Sequence, residues 1–376
     1  MNRTTFRRAL ALPATLGLAF TVAACGASNE SDSGSGGDSS SGGGEEQLSG
    51  ELVGAGASSQ QAAMQGWAAG FSELQSGVTV NYDPVGSGGG REQFLAGGTA
   101  FAGSDAALDE EELAMSEELC GGGGIIELPD YISPIAVAFN LEGIESLNLG
   151  PSTIAQIFNQ QITNWNDPAI AADNPDATLP DLAITPVNRS DESGTTENFV
   201  EYLIATAPDD WPYEASGDWP VAGGEAGQGT SGVISAISGG NGTIGYADAS
   251  QVEDPLGTVA VGVGEEFVEF SPEAAAAVVE NSPPAEDVER GEFDFALELA
   301  RDTTESGNYP IVLVSYHVMC VEQEDQETVD LLQAFFNYII SEDGQAAAAE
   351  AAGSAPISDA LREQAQTAID AITVAG

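Results

Sequence analysis

Four short segments combine glycine with serine, threonine or aspartate where an apolar stretch gives way to a polar one. They are GAGAS at 54–58, GSGGGREQF at 86–94, GSD at 103–105 and NRSDESGTT at 188–196. Where a strand passes into a helix, the first backbone N–H groups of the helix lack acceptors and lie at the positive end of its dipole. One such segment is most often a simple turn or cap, but four together predict an anion-binding site.

Hydrophobic patterning predicts the elements that must position these segments. From Leu48 onwards, short apolar runs alternate with amphipathic stretches, which is typical of an α/β protein. Separate strands are predicted at 125–128 and 132–139, and a helix at 196–205 follows the fourth segment. The sequence therefore predicts a fold in which strands deliver glycine-rich turns into helices.

Composition narrows the classes of partner. The 376 residues include 60 acidic and 8 basic side chains, all eight of them arginine, so the formal net charge is −52. Nucleic acids and anionic membrane surfaces require basic patches, so this charge argues against both. The sequence has a single histidine, His317, and three cysteines, which are few candidates for a catalytic dyad or for zinc ligands. We therefore expect no metal and no cofactor.

The amino terminus has the layout of a secretory signal peptide, predicted at 1–25: a basic start, an apolar stretch and small residues before Cys25. The ending Val-Ala-Ala-Cys resembles the lipobox of bacterial lipoproteins, in which the cysteine is lipidated; the alternative is a short apolar terminus with a chance cysteine. Residues 26–47 are rich in Gly, Ser and acidic side chains and cannot form a core. They are predicted to be a flexible tether.

Six strings resemble, in order and spacing, the phosphate-binding proteins of bacterial phosphate ABC transporters: GAGAS, VGSGGG, GSDA at 103–106, ITNWNDPAI at 162–170, NRSDESGTT and GTIGYAD at 242–248. The most specific is R-x-D-x-S-G-T, which begins at Arg189. The resemblance implies the two-lobed periplasmic-binding-protein fold (type II), with the ligand in the cleft between lobes. One lobe is expected to comprise 48–136 plus 249–376, and the other 137–248.

The resemblance also implies a set of phosphate ligands, namely Ser58, Ser87, Asp105, Arg189, Ser193, Gly194 and Thr195. Because Ser58 is followed by Ser59, the sequence leaves open which of the two hydroxyls faces the ligand. Asp191 is expected to hold the Arg189 guanidinium, or else simply to cap a helix. Arg91 is expected to be a charge at the edge of the cleft rather than a ligand.

The chemistry of the residues agrees with this set. A desolvated phosphate offers many acceptor lone pairs, so its site needs hydroxyl, N–H and guanidinium donors. Asp105 is the exception, because a carboxylate repels an anion unless the anion donates a proton to it, as phosphate can at neutral pH. The alternative for Asp105 is an N-cap for a helix that starts near Asp109.

The two remaining cysteines, Cys120 and Cys320, lie beside strands expected in the same lobe. In an exported protein a disulfide is favoured over the alternative, two buried thiols. His317 lies in the apolar run IVLVSYHVM and is expected to be a core residue.

These observations predict a lipid-anchored solute-binding protein on the outer face of the cytoplasmic membrane. The resemblance implies that it captures inorganic phosphate and delivers it to an ABC permease, and we expect that it is not an enzyme. One alternative is a receptor for another oxyanion. The other is a secreted phosphatase-like hydrolase, which the lone histidine and the absence of a G-x-S-x-G string disfavour.

Overall fold

Strands and helices alternate along residues 47–376, the part of the chain that the computed structural model describes. The predicted signal peptide, the predicted lipidation site at Cys25 and residues 26–46 of the predicted tether lie outside this part. Within residues 47–376, no helix combines the length and the apolar character needed to cross a membrane.

The described residues have the α/β composition that the sequence predicts. In chain order the strands are β1 (Ser49–Gly56), β2 (Gly77–Asp83), β3 (Phe101–Ser104), β4 (Ile125–Asn140), β5 (Ser146–Leu149), β6 (Thr185–Arg189), β7 (Glu225–Gly227), β8 (Thr243–Asp248), β9 (Gly257–Val263), β10 (Glu266–Val268), β11 (Phe293–Asp294), β12 (Val312–Cys320), β13 (Glu322–Gln323) and β14 (Thr373–Val374). The α-helices are α1 (Gln61–Leu74), α2 (Ser87–Leu95), α3 (Glu110–Cys120), α4 (Pro151–Phe158), α5 (Pro168–Asp173), α6 (Gly194–Thr206), α7 (Gly229–Gly239), α8 (Pro272–Glu280), α9 (Gln326–Ile340), α10 (Glu342–Ala352) and α11 (Asp359–Ala371).

Strand β4 is shared by the two halves of the main sheet, whose order is β2-β1-β3-β12-β4-β8-β6-β7. Its first part pairs antiparallel with β12 as far as Pro134, and its second part pairs antiparallel with β8 from Ile135 onwards. The partner of β4 therefore changes close to residue 136, where the sequence predicts a lobe boundary.

Parallel pairing brings the starts of several helices together. Strand β1 is parallel to β2 and β3, and β6 is parallel to β7 and β8. The carboxyl ends of parallel strands share one edge of a sheet, and the following helices begin there. Helices α1, α2, α6 and α7 follow β1, β2, β6 and β7 in this way. The four predicted segments lie at the end of β1, at the start of α2, at the end of β3 and where β6 passes into α6.

Aromatic side chains fill the core under these helices. In α1, the buried Trp67 and Phe71 lie one turn apart, and the Phe71 ring packs 5.2 Å from that of Phe335. On the other side of β4, Phe199 of α6 stacks 4.4 Å from Tyr246 of β8. Each buried ring of this size contributes roughly 1.5–3 kcal/mol to folding. The start of α6 is thereby held against the sheet.

The predicted disulfide is present. Cys120 ends α3 and Cys320 ends β12; their sulfurs are bonded, and their Cα atoms lie 5.1 Å apart. The bridge joins positions 200 residues apart in sequence, so it closes a long loop in the unfolded chain, reduces the conformational entropy of that chain and thereby stabilises the fold.

The two strands predicted at 125–128 and 132–139 are one strand, β4. Pro129 lies between the two predicted strands, and proline usually interrupts a regular ladder. Here the ladder with β12 shifts register at this point: Tyr316 pairs with Pro129, and Ser315 pairs with Tyr131. Asp130 is the extra residue of this bulge, so the strand absorbs the proline instead of ending at it.

Candidate functional site

Asp105, immediately after β3, accepts hydrogen bonds from three hydroxyl groups. Its Oδ1 atom accepts from Ser59 Oγ at 2.6 Å and from Ser315 Oγ at 2.7 Å, and its Oδ2 atom accepts from Thr195 Oγ1 at 2.8 Å. Asp105 is 3% exposed. The alternative role as an N-cap is wrong, because Asp109 caps α3. Three of the roughly four lone-pair positions of this carboxylate are thus occupied.

Three of the predicted serines use their oxygens as acceptors. Ser58 Oγ accepts from the Thr230 N–H at 3.0 Å, Ser87 Oγ from the Asp105 N–H at 3.1 Å, and Ser193 Oγ from the Thr196 N–H at 3.2 Å. Since a hydroxyl that accepts still has its own proton, each can donate to a further acceptor.

The hydrogen bonds distinguish the roles of Ser58 and Ser59, which the sequence leaves open. Ser59 gives its proton to Asp105. Ser58 lies 3.1 Å from the Thr230 hydroxyl, in a pair where either oxygen can donate. Ser58 is therefore the better candidate for contact with an anion.

The start of α6 packs directly against the segments from β2 and β3. A Cβ atom on Gly194 would lie 2.8 Å from Ser87 Oγ and 2.7 Å from the Asp105 Cβ, so only glycine fits at this position. The helix begins at Gly194, with Ser193 as N-cap, two residues before its predicted start. The N–H groups of Gly194 and Thr195 have no acceptor within the helix, so they are available to an anion.

Arg189 ends β6 and is held by Asp191, as expected from their spacing in the sequence. Its Nε and Nη2 atoms donate to the two oxygens of Asp191 at 3.0 and 2.5 Å, and the Gly229 N–H donates to the same carboxylate at 3.0 Å. Partial burial alone would raise the pKa of Asp191, but the hydrogen bonds and charge of Arg189 and the Gly229 N–H lower it. Asp191 thus stays ionised and fixes the guanidinium, whose remaining N–H groups can bind an anion.

Arg91 is bound by protein groups on three sides. It donates to Glu112 at 2.7 Å, to Ser104 at 3.0 Å and to Glu192 at 3.0 Å. Ser104 precedes Asp105, so Arg91 supports the segment that carries the central carboxylate.

Sequence reasoning missed several residues that contact this site. Ser315 on β12 donates to Asp105, and Gln60 Nε2 donates in turn to Ser315. Thr230 pairs with Ser58, and Tyr246 hydrogen-bonds the Thr196 hydroxyl at 2.7 Å. Thr230 and Tyr246 lie in recognisable strings, QGTSG and GTIGYAD, but Ser315 lies in an apolar strand without any such signal.

His317 is a core residue, as predicted. It is fully buried, its Nδ1 lies 2.8 Å from both oxygens of Asp130, and its ring packs edge-on against Phe101 and Phe336. Among residues 47–376, no group of three or more His, Cys, Asp or Glu side chains is placed to hold a metal ion.

Comparison with protein families matches residues 41–343 to a PBP superfamily domain. Curated relatives include Phosphate-binding protein PstS 3 of Mycobacterium tuberculosis, which is 32% identical over 365 residues, covering 94% of this chain and 95% of that protein. Phosphate-binding protein PstS of Xylella fastidiosa is 32% identical over 344 residues, covering 88% and 90%.

Solved structures share the fold. A high-affinity periplasmic phosphate-binding protein (PfluDING), solved with phosphate at pH 8.5, superposes with a TM-score of 0.70 at 22% identity, covering 85% of this chain and 93% of that one. A phosphate-binding protein from Stenotrophomonas maltophilia gives 0.62 at 20% identity, covering 85% and 93%. The chain therefore belongs to the PBP superfamily and, within it, to the family of phosphate-binding proteins that these relatives represent.

Proposed function

We propose that this protein captures inorganic phosphate in a cleft between two lobes, outside the cytoplasm, and delivers it to an ABC permease. It acts as a binding protein and not as an enzyme. The observation that carries the proposal is the buried carboxylate of Asp105, set among hydroxyl and N–H donors. Such a site suits an anion that brings its own proton. The names of the relatives support the same ligand.

The donors match the lone pairs of a desolvated phosphate. The hydroxyls of Ser58, Ser87 and Ser193 have protons to give, since their oxygens accept backbone N–H groups. The remaining donors are the backbone N–H groups of Gly194 and Thr195 and the Arg189 guanidinium. A P–OH group donates to the fourth lone-pair position of Asp105. Each such bond to a charged group is worth about 1.5–3 kcal/mol.

The lobes of this proposal are 48–136 plus 249–376, and 137–248. Several contacts at the site join the two, among them Ser58 with Thr230, Ser87 with Gly194, and Asp105 with Thr195. A ligand held by both sets of residues favours the arrangement in which the lobes meet. The permease then recognises this closed form.

Export and anchoring complete the proposal. The disulfide between Cys120 and Cys320 fits an oxidising compartment outside the cytoplasm. The signal peptide at 1–25 and lipidation at Cys25 place the protein on the outer face of the cytoplasmic membrane, with 26–47 as the tether.

Calorimetric titration of the refolded, ligand-stripped protein with phosphate, arsenate, sulfate and a phosphonate tests the ligand. We expect phosphate to bind most tightly and sulfate at least about a hundredfold more weakly. Tighter binding of another oxyanion would contradict the proposal and identify that anion as the ligand. Release of product from a phosphate ester, with or without divalent metal, would favour the hydrolase alternative.

A further inference from the structure

Asn198, on the second turn of α6, uses every polar atom of its side-chain amide. Its Nδ2 atom donates to the backbone carbonyls of Asp105 at 2.7 Å and of Gly194 at 2.8 Å, and its Oδ1 atom accepts from Arg301. Asn198 is 4% exposed. One buried side chain thus ties together two residues proposed to bind phosphate, one from each lobe.

Arg301 holds Asn198 in this orientation. Besides its bond to Asn198, its Nη1 atom donates to the Val312 carbonyl at 2.8 Å, and its Nε and Nη2 atoms donate to one oxygen of Glu201 at 3.1 and 2.8 Å. Arg301 is itself 4% exposed. Val312 begins β12, whereas Asn198 and Glu201 lie on α6, so the guanidinium bridges the two proposed lobes.

We propose that Arg301 and Asn198 are positioning residues that lock the closed cleft, and that they set how slowly phosphate leaves. The inference rests on the proposed function. The bonds from Asn198 to Asp105 and from Arg301 to α6 exist only while the two lobes meet. Their loss therefore destabilises the closed state but does not remove a group that touches the anion.

Burial decides which contact between the lobes matters most. Arg91 also reaches across, to Glu192, but that glutamate side chain is 52% exposed, and exposed ion pairs contribute little. Glu201 is 43% exposed, so the same argument limits its ion pair with Arg301. The bonds of Asn198 are shielded from water, and a buried donor left without its partner is costly. The lock thus depends on Asn198 and on the arginine that orients it.

The test uses the mature protein and compares Arg301→Gln, Arg301→Lys, Asn198→Ala and the double variant Arg301→Gln/Asn198→Ala. Release of radiolabelled phosphate after a chase with unlabelled phosphate gives the dissociation rate, and rapid mixing gives the association rate. Arg362→Gln is the matched control, because Arg362 also donates to a backbone carbonyl, that of Ile340, between α11 and α9. Melting temperatures check folding.

We expect Arg301→Gln and Asn198→Ala each to speed dissociation by about tenfold or more, with the association rate changed by less than about threefold. The double variant should release phosphate no faster than the faster single variant, since Arg301 acts through Asn198. Arg301→Lys should speed dissociation less than Arg301→Gln does, because lysine keeps the positive charge but lacks the planar donor geometry of the guanidinium. Unchanged dissociation rates, or additive effects in the double variant, would overturn the inference. If the unsubstituted protein binds no phosphate, the proposed function itself fails.

Discussion

Replacing Asp105 by asparagine tests the proposed role of this carboxylate in distinguishing phosphate from sulfate. The two anions are near-isosteric tetrahedra, so hydroxyl and N–H donors bind both. At neutral pH phosphate still carries a proton for Asp105, whereas sulfate has none and would place a lone pair against the carboxylate. Asp105→Asn changes one atom of the side chain and keeps its shape.

The structure determines which atom changes. Position Oδ1 accepts two hydroxyl protons, from Ser59 and Ser315, so the amide oxygen will occupy it. The new NH₂ group then replaces Oδ2, which accepts only from Thr195. There the amide donates to the Thr195 oxygen and to the bound anion. An unmade bond to a buried charged acceptor costs about 1–3 kcal/mol, and repulsion adds to it.

We therefore expect the unsubstituted protein to bind phosphate more than about a hundredfold more tightly than sulfate. In the Asp105→Asn variant this ratio should fall below about tenfold, mainly because the variant binds sulfate more tightly than the unsubstituted protein does. Competition calorimetry with sulfate against phosphate measures the ratio. Asp109→Asn is the matched control, because asparagine also caps a helix well and the Asp109 carboxylate accepts from the N–H groups of Glu111 and Glu112 in α3. If sulfate competes equally with phosphate in the unsubstituted protein, or if Asp105→Asn leaves the ratio unchanged, Asp105 does not face the ligand.

Three further predictions concern charge. Arg189→Ala should weaken phosphate binding by about thirtyfold or more with the fold retained, while Arg362→Ala leaves calorimetric affinity unchanged; equal affinities would refute the site. Burial raises the pKa of Asp248 to about 7, so its contribution to stability is present at low pH and is lost between about pH 4 and pH 7. Asp248→Asn should flatten this pH profile of the unfolding free energy, by as much as about 4 kcal/mol, and an unchanged profile would contradict the assignment. The association rate of phosphate should stay flat or rise as NaCl is added, because the net negative field is screened within ~10 Å at 0.1 M salt; a steep fall would indicate a positively charged cleft instead.

The sequence predicts those parts of the site that are local in the chain. Arg189, Asp191, Ser193 and Gly194 lie within six positions, and a strand end followed by a helix start brings them together whatever the rest of the fold does. Ser315 could not be found this way. It lies 210 residues from Asp105, on a buried strand where a serine has no distinguishing pattern, and only the pairing of β12 between β3 and β4 brings it to the carboxylate.

Tertiary pairing also explains the errors in the predicted elements. Proline at 129 is a reason to end a strand when only neighbouring residues are considered. In the folded chain β12 pairs with the whole first part of β4. A bulge at Asp130 costs less free energy than ending this ladder would. The bulge residue finds a partner in His317, which depends on the fold and not on local sequence.

Carboxylates pair with the arginines near the proposed cleft of this acidic protein. Each arginine near the cleft is matched by a carboxylate: Arg91 by Glu112, Arg189 by Asp191, and Arg301 by Glu201. An unmatched arginine would attract any anion and would do so over a distance. Matched arginines act only at contact, through N–H groups held in fixed directions. In the proposed site, recognition depends on whether an anion accepts from these donors and also gives a proton to Asp105, which is a property of its chemistry and not of its charge.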